Sequence, residues 1–339
     1  MAVLITGGAG YIGSHMALAL RDAGEAAVVL DDLSTGSRDA VPAGVPLVVG
    51  DVGDEALVLR TLAAHQIDAV AHFAGRIIAP ESITDPLGYY AANTGKTRVL
   101  LGSLVAANVK RFIFSSTAAV YGLAPVTPTP ESAPLDPASP YGASKMMSER
   151  VLRDVSVAHG MSFVALRYFN VAGADPQMRT GQRAAGAANL ITVATRAALG
   201  LNQGLDIFGT DLPTPDGTGV RDYIHVSDLA DAHVAALRHL RAGGGSLTLN
   251  CGYGWGYSVR DVVAAVRRVS GSDFPVREKP ARPGDPHVSI ADATRIREAL
   301  GWRPARADLD LIVGDALRWE QLWWSGAERR PDMAGRRAR

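Results

Sequence analysis

Val3-Leu4-Ile5-Thr6-Gly7-Gly8-Ala9-Gly10-Tyr11-Ile12-Gly13 is an apolar run that empties into spaced glycines, and residues 14–23 behind it read as a helix ending at Gly24. Strand, glycine turn and helix in that order make a phosphate cradle. Glycines at 7, 10 and 13 permit a tight turn, close backbone approach to a pyrophosphate and close packing of helix on strand, and the helix N-terminus presents amide donors and a positive dipole end. The next segment, Ala27-Val28-Val29-Leu30-Asp31, reads as a second strand ending in a carboxylate at about the spacing a ribose-binding acid requires. Asp31, with Asp32 beside it, would accept from a 2′-hydroxyl and repel a 2′-phosphate. The expected dinucleotide is therefore NAD and not NADP.

Outward from that unit, strand and helix signals keep alternating. Strands are expected at 47–49, 69–73, 112–114 and 163–166, and helices over 55–64 and 86–107. Such alternation predicts an α/β fold, a Rossmann-type doubly wound parallel sheet with helices on both faces. Ligands then collect at the carboxyl ends of the strands, where Gly50-Asp51-Val52, Phe73-Ala74-Gly75 and Ser115-Ser116-Thr117 fall. From Arg167 the pattern loosens into Pro- and Gly-rich connections at 175–186 and 209–219. Helices are expected over 187–199, 227–241, 258–269, 293–300 and 308–324, with short strands at 206–208, 223–225 and 247–249. The predicted organisation is a dinucleotide-binding domain over 1–170, with crossover segments at about 222–250, and a smaller, interrupted α/β substrate domain over 171–339.

At 339 residues, nearly half of them hydrophobic, the chain can bury a sizeable core. Lysine plus arginine equals aspartate plus glutamate at 34 each, so bulk charge offers no attraction to nucleic acid or an acidic membrane. The basic run from Glu328-Arg329-Arg330 to Arg339 reads as a solvated tail. Cys251 is the only cysteine, which excludes an intramolecular disulfide, argues against a cysteine metal site and suits a reducing compartment. With no charged leader and no long apolar run, a cytoplasmic location is expected.

The chemistry is expected at Ser139-Pro140-Tyr141-Gly142-Ala143-Ser144-Lys145. Ser139 suits a helix cap and Pro140 a first turn, so Tyr141 and Lys145 fall four apart on one helix face. A phenol is a poor base at neutral pH. A neighbouring ammonium is expected to lower its pKa by about one to three units, each worth roughly 1.4 kcal/mol.

These stretches, with Phe114-Ser115-Ser116-Thr117-Ala118-Ala119-Val120-Tyr121-Gly122, Arg167-Tyr168-Phe169-Asn170-Val171-Ala172-Gly173 and Asp216-Gly217-Thr218-Gly219-Val220-Arg221-Asp222-Tyr223-Ile224-His225-Val226, resemble the extended short-chain dehydrogenase/reductase family and, within it, the UDP-glucose 4-epimerases. The resemblance spans nearly the whole chain. It implies a tightly held NAD that takes hydride from C4 of a UDP-hexose and returns it to the opposite face of a 4-keto intermediate. By that likeness Tyr141 is the base, Lys145 lowers its pKa and binds the nicotinamide ribose, and Thr117 bonds the sugar hydroxyl. Tyr11, Ile12, Asp31, Asp51 and Val52 would hold the adenosine end, and Phe73, Ala74, Gly75, Asn93 and Phe169 the nicotinamide end. Asn170, Asn189, Leu190, Phe208, Arg221, Arg282 and Asp285 match positions that bind the UDP portion, and guanidinium forks suit a diphosphate. Ser289 matches the position bordering the sugar's C2 substituent, and its small side chain would admit UDP-GlcNAc and UDP-GalNAc. Many relatives carry a lysine where this chain has Ile77, and Arg76 could stand in for it. A homodimer through a bundle that includes the Tyr141 helix is also implied.

Rival functions remain. A nucleotide-sugar 4,6-dehydratase needs an acid after the Thr117 position, where this chain has Ala118 and Ala119. Fold and cofactor alone would also suit a UDP-pentose 4-epimerase, or an NAD-sensing protein without catalysis.

Overall fold

The computed structural model describes residues 1–184, 186–282 and 284–326; the basic run after Glu328 lies outside the described residues, as does Pro283. In the first half, strands β1 (Ala2–Thr6), β2 (Ala27–Asp31), β3 (Leu47–Val49), β4 (Ile67–His72), β5 (Arg111–Thr117) and β6 (Ser162–Tyr168) alternate with helices. These are α1 (Tyr11–Asp22), α2 (Glu55–Ala64), α3 (Ala79–Thr84), α4 (Pro86–Tyr89), α5 (Lys96–Ala106) and α6 (Pro140–His159). The second half adds β7 (Asn170–Ala172), α7 (Leu190–Ala198), β8 (Leu205–Phe208), β9 (Val220–Arg221), β10 (Tyr223–His225), α8 (Val226–Arg241) and β11 (Leu247–Cys251). It continues through β12 (Tyr257–Ser258), α9 (Val259–Ser270), β13 (Val276–Lys279), β14 (Val288–Ser289), α10 (Thr294–Leu300) and α11 (Leu309–Ser325).

Seven strands pair in the order β11-β6-β5-β4-β1-β2-β3, every pairing parallel. Both faces are covered, which is why β1 is apolar throughout instead of alternating with polar residues. Val3 and Ile5 point into the core that holds Met16 and Leu20 of α1, while Leu4 points into the opposite core with Leu100 and Leu104 of α5. The late strand β11 rejoins this sheet beside β6, and α8 packs against α1. The remaining strands form small sheets, β12-β9-β14, β13-β8 and β10-β7, while α7, α9 and α11 pack on one another.

Two helix expectations change in detail. The helix expected over 86–107 is interrupted by a π-helical turn, Tyr90–Gly95, between α4 and α5. The helix expected from residue 187 begins at Leu190, because the Asn189 side chain accepts the Thr192 amide and fixes the cap there.

Candidate active site

The glycine turn between β1 and α1 has no room for side chains. Gly7 sits at φ +69, and a Cβ there would lie 2.6 Å from the Ala74 nitrogen; at Gly13 it would lie 2.3 Å from the Gly7 carbonyl oxygen. Helix α1 starts at Gly10 without a side-chain cap, so its first amides and positive end face the cradle. Asp31 closes the unit from the end of β2: its Oδ2 accepts the Ala9 amide at 2.9 Å and its Oδ1 the Leu33 amide at 2.8 Å. These bonds make Asp31 an organiser of the glycine turn. A dinucleotide fits this donor set: bare amides for its phosphates and a carboxylate for its ribose.

The flanking residues are fixed by the protein itself. The Tyr11 hydroxyl donates to the Gly173 carbonyl at 2.6 Å and so ties α1 to the turn after β7. Ile12 is half-buried, Val52 buried, and Asp51 pairs with Lys96 at 2.6 Å. Phe73 packs on His233 at 4.9 Å between ring centres, Ala74 meets Gly7, and Phe169 is buried. Asn93, on the π-helical turn, accepts from the Arg76 amide at 2.8 Å and donates to the Arg76 carbonyl and to Ser144 Oγ. It thereby stitches the loop after β4 to the helix of Tyr141 and Lys145. Arg76 is no substitute for a phosphate-binding lysine, because its guanidinium is already paired with Glu81 and with Asp85. Ile77 is exposed.

Helix α6 starts as its sequence predicts, with Ser139 Oγ accepting the Gly142 amide and Pro140 in the first turn. Lys145 is buried, donates to the Ser115 carbonyl at 2.8 Å and lies 5.0 Å from the Phe114 ring centre. Burial pulls its ammonium down to about 8. Tyr141 lies edge-on to Tyr89, and its phenol is pushed up by burial; the opposing influence is a hydrogen bond with Thr117. Of these two influences desolvation outweighs the Thr117 hydrogen bond, and the buried Lys145 ammonium stands one turn along the same helix. The same Thr117 hydroxyl also accepts the Ala119 amide at 3.1 Å.

On the substrate side, pairing brings three expected residues together. Asn170 donates its amide to the Asp222 carbonyl, the Asp222 amide donates to the Ser289 carbonyl, and Ser289 registers against Arg221 in the β9–β14 pair. Ser289 is half-buried and not turned fully to solvent. Arg282 stacks on Phe208, its guanidinium carbon 3.6 Å from the ring centre, and Asp285 donates its amide to the Arg282 carbonyl at 3.3 Å. Neither Arg221 nor Arg282 pairs with a carboxylate among the described residues, whereas most other arginines here do. Burial lowers the Arg221 pKa, with Tyr223 and Asp285 acting against it. Asn189 caps α7, whose first residue is Leu190.

Sequence reasoning missed the layer beneath. Glu149, two turns past Tyr141, accepts from Ser116 Oγ at 2.6 Å and from the Arg167 guanidinium at 2.6 and 2.9 Å, all fully buried. The i, i+4, i+8 spacing of Tyr141, Lys145 and Glu149 was the available signal. His72 bridges Thr6 and Thr97, and His225 bonds Asp315, so both lie inside the fold as structural groups.

A family model described as the NAD dependent epimerase/dehydratase family matches residues 3–252. Over 319 residues the chain is 58% identical to a UDP-glucose 4-epimerase of Azospirillum brasilense, covering 94% of this chain and 92% of that one. The solved structure of UDP-glucose 4-epimerase from Bifidobacterium longum in complex with NAD+ and UDP superposes with a TM-score of 0.91 at 38% identity, covering 98% of this chain and 100% of that one. The UDP-Glc/GlcNAc 4-epimerase from Campylobacter jejuni superposes with a TM-score of 0.83 at 44% identity, covering 95% and 99%.

Proposed function

This chain belongs to the NAD dependent epimerase/dehydratase family, and from that premise we infer that its crevice inverts C4 of UDP-glucose and UDP-galactose through a 4-keto sugar. It is an NAD-using epimerase, an isomerase with no net oxidation. The observation that carries the finer assignment is the Tyr141 phenol bonded to Thr117 with Lys145 one turn on, beside the glycine cradle.

NAD bound in that cradle supplies the hydride acceptor for the sugar's C4 and a positive ring charge beside the phenol. Gly7, Gly10, Gly13 and the α1 amides would hold its phosphates and Asp31 its ribose. Tyr141, as phenolate, takes the proton of the sugar's 4-hydroxyl as the C4–H electron pair departs, which leaves a ketone. Thr117 holds that oxygen and relays its proton, and Lys145 keeps positive charge near the phenolate. Arg221 and Arg282 grip the diphosphate while the ketone presents its other face. Tyr141 then returns the proton to the re-formed hydroxyl. Ala118 and Ala119 offer no acid for loss of a 6-hydroxyl, so the site favours epimerisation over 4,6-dehydration. The test is turnover of UDP-sugars by the purified protein, scored by product identity. Conversion of UDP-galactose to a 6-deoxy-4-keto product, or no turnover, overturns the reading.

The half-buried Ser289 favours a wider sugar range. A tyrosine there would fill the room an N-acetyl group needs at a cost of about 1 to 3 kcal/mol. The wild type should interconvert UDP-GlcNAc and UDP-GalNAc, and Ser289→Tyr should suppress that pair by roughly tenfold or more while sparing the other. A wild type inactive on UDP-GlcNAc removes the proposal. A homodimer through α6 is part of this reading and is checked by light scattering. No helix among the described residues is long and apolar enough to cross a membrane, which fits a cytoplasmic enzyme.

A further inference from the structure

Asp222 is fully buried, yet no cation lies within ion-pair distance of it among the described residues. Three backbone amides hold its carboxylate instead: Tyr253 at 2.8 Å on Oδ1, and Gly254 at 2.9 Å and Ala291 at 3.3 Å on Oδ2. Arg297 is an opposing charge that acts on it from a distance and is engaged with the Tyr253 carbonyl at 2.6 Å. Burial pushes the Asp222 carboxyl up to about 6, so the site keeps an anion at a cost to stability. Asp228 is the informative contrast. It is just as buried and also takes backbone amides, from the 305–306 segment, but it is paired with Arg306 at 3.2 Å and accepts the Tyr253 hydroxyl at 2.7 Å. Two buried carboxylates in one region, one paired and one not, suggest different duties.

The backbone of Asp222 accounts for the difference. Its carbonyl takes the Asn170 amide at 2.9 Å, its amide reaches the Ser289 carbonyl at 3.0 Å, and Arg221 precedes it in the chain. We propose that Asp222 is a positioning residue for UDP-sugar binding: its carboxylate draws the segments at 253–254 and 291 together so that Asn170, Arg221 and Ser289 are held in one frame. This rests on the assignment of those three residues to the UDP-sugar. Asparagine at 222 would turn an amide donor toward backbone donors and release part of the frame. Alanine at Gly252 presses on the same carboxylate from outside, since a Cβ there would lie 2.6 Å from Oδ2, and it leaves the charge in place.

The experiment compares NAD-loaded wild type, Asp222→Asn, Gly252→Ala, Asp228→Asn and Arg221→Ala in UDP-galactose turnover, with NAD content and melting temperature measured on each. Asp222→Asn and Gly252→Ala should raise KM roughly five- to thirtyfold with kcat within about twofold and NAD content unchanged. Asp228→Asn should lower the melting temperature, and Arg221→Ala should raise KM. If Asp222→Asn does not fold, Gly252→Ala decides. Should kcat and NAD content fall together with KM unmoved, Asp222 is merely structural and the inference fails. A KM raised by Arg221→Ala but by neither frame variant also overturns it, and leaves the UDP-sugar assignment standing. If Arg221→Ala has no effect on KM, the assignment itself is wrong and the inference falls with it.

Discussion

Replacing Glu149 by glutamine tests the layer that holds α6 to the sheet. The carboxylate accepts two bonds from the Arg167 guanidinium and one from Ser116, with both charged side chains at 4% exposure or less. An amide of the same shape keeps one acceptor oxygen and turns an NH2 toward a guanidinium, so Arg167 is left buried without its anion. Breaking one half of such a pair costs about 3 to 5 kcal/mol. Arg167 keeps its bond to the Tyr121 hydroxyl at 2.8 Å and its place 4.9 Å from that ring centre, which argues for the lower end, about 3 kcal/mol. Urea unfolding at fixed NAD, read by tryptophan fluorescence, gives the shift as the midpoint change multiplied by the mean slope. A companion variant, Glu149→Leu with Arg167→Met, removes both charges at similar volume and should recover most of the loss. If Glu149→Gln unfolds at the wild-type midpoint, or the paired variant is no more stable than the single one, the buried pair is not what secures α6.

Other consequences are cheaper to check. Tyr141→Phe should keep its NAD and lose roughly a hundredfold or more in kcat, since only the proton acceptor is removed; near-normal kcat would remove Tyr141 as the base. Thr117→Ala should lower kcat and Thr117→Ser should not, so equal behaviour of the two would deny the hydroxyl its part. Stability should fall in acid. His15, His72 and His233 are held neutral by burial, at about 4, 3 and 4 against an ordinary 6.5. Their depressed values mean that the unfolded chain takes up protons first. Stability is therefore full above pH about 6.5 and declines as pH drops toward those values, by up to roughly 2 kcal/mol per histidine at pH 5. Asp222, raised to about 6, and Asp31, Asp231 and Glu320, also pushed up by burial, work in the opposite sense and offset part of this fall. A urea midpoint flat between pH 7 and pH 5 would contradict the burial of these rings.

The β1–α1–β2 unit is legible from residue types because everything that defines it is local. An apolar run buried on both faces, spaced glycines, and an acid at the next strand's end all lie within the first 31 residues, although the backbone that crowds Gly7 comes from Ala74. The helices of the second half are legible for the same reason, each to within about three residues at its ends. Strands β9, β12 and β14 are not, for each has two residues and no alternation can register in so short a span. They exist because Arg221 finds partners at Tyr257 and Ser289, far along the chain.

The same division runs through the site. Tyr141 and Lys145 are placed by helical spacing, which the sequence contains, but the contacts each makes are set by neighbours from other elements. The Lys145 ammonium is drawn to the Ser115 carbonyl, a contact spanning 30 residues, and Thr117 reaches Tyr141 from the end of β5. Arg76 looks like a free cation beside the cofactor loop until Glu81 and Asp85 come round to meet it. Asn93 sits in a stretch that reads as plain helix until the π-helical turn aims it at Arg76 and Ser144. In each case the residue type announces what a group is able to do, and the partner that decides whether it does so arrives through tertiary packing.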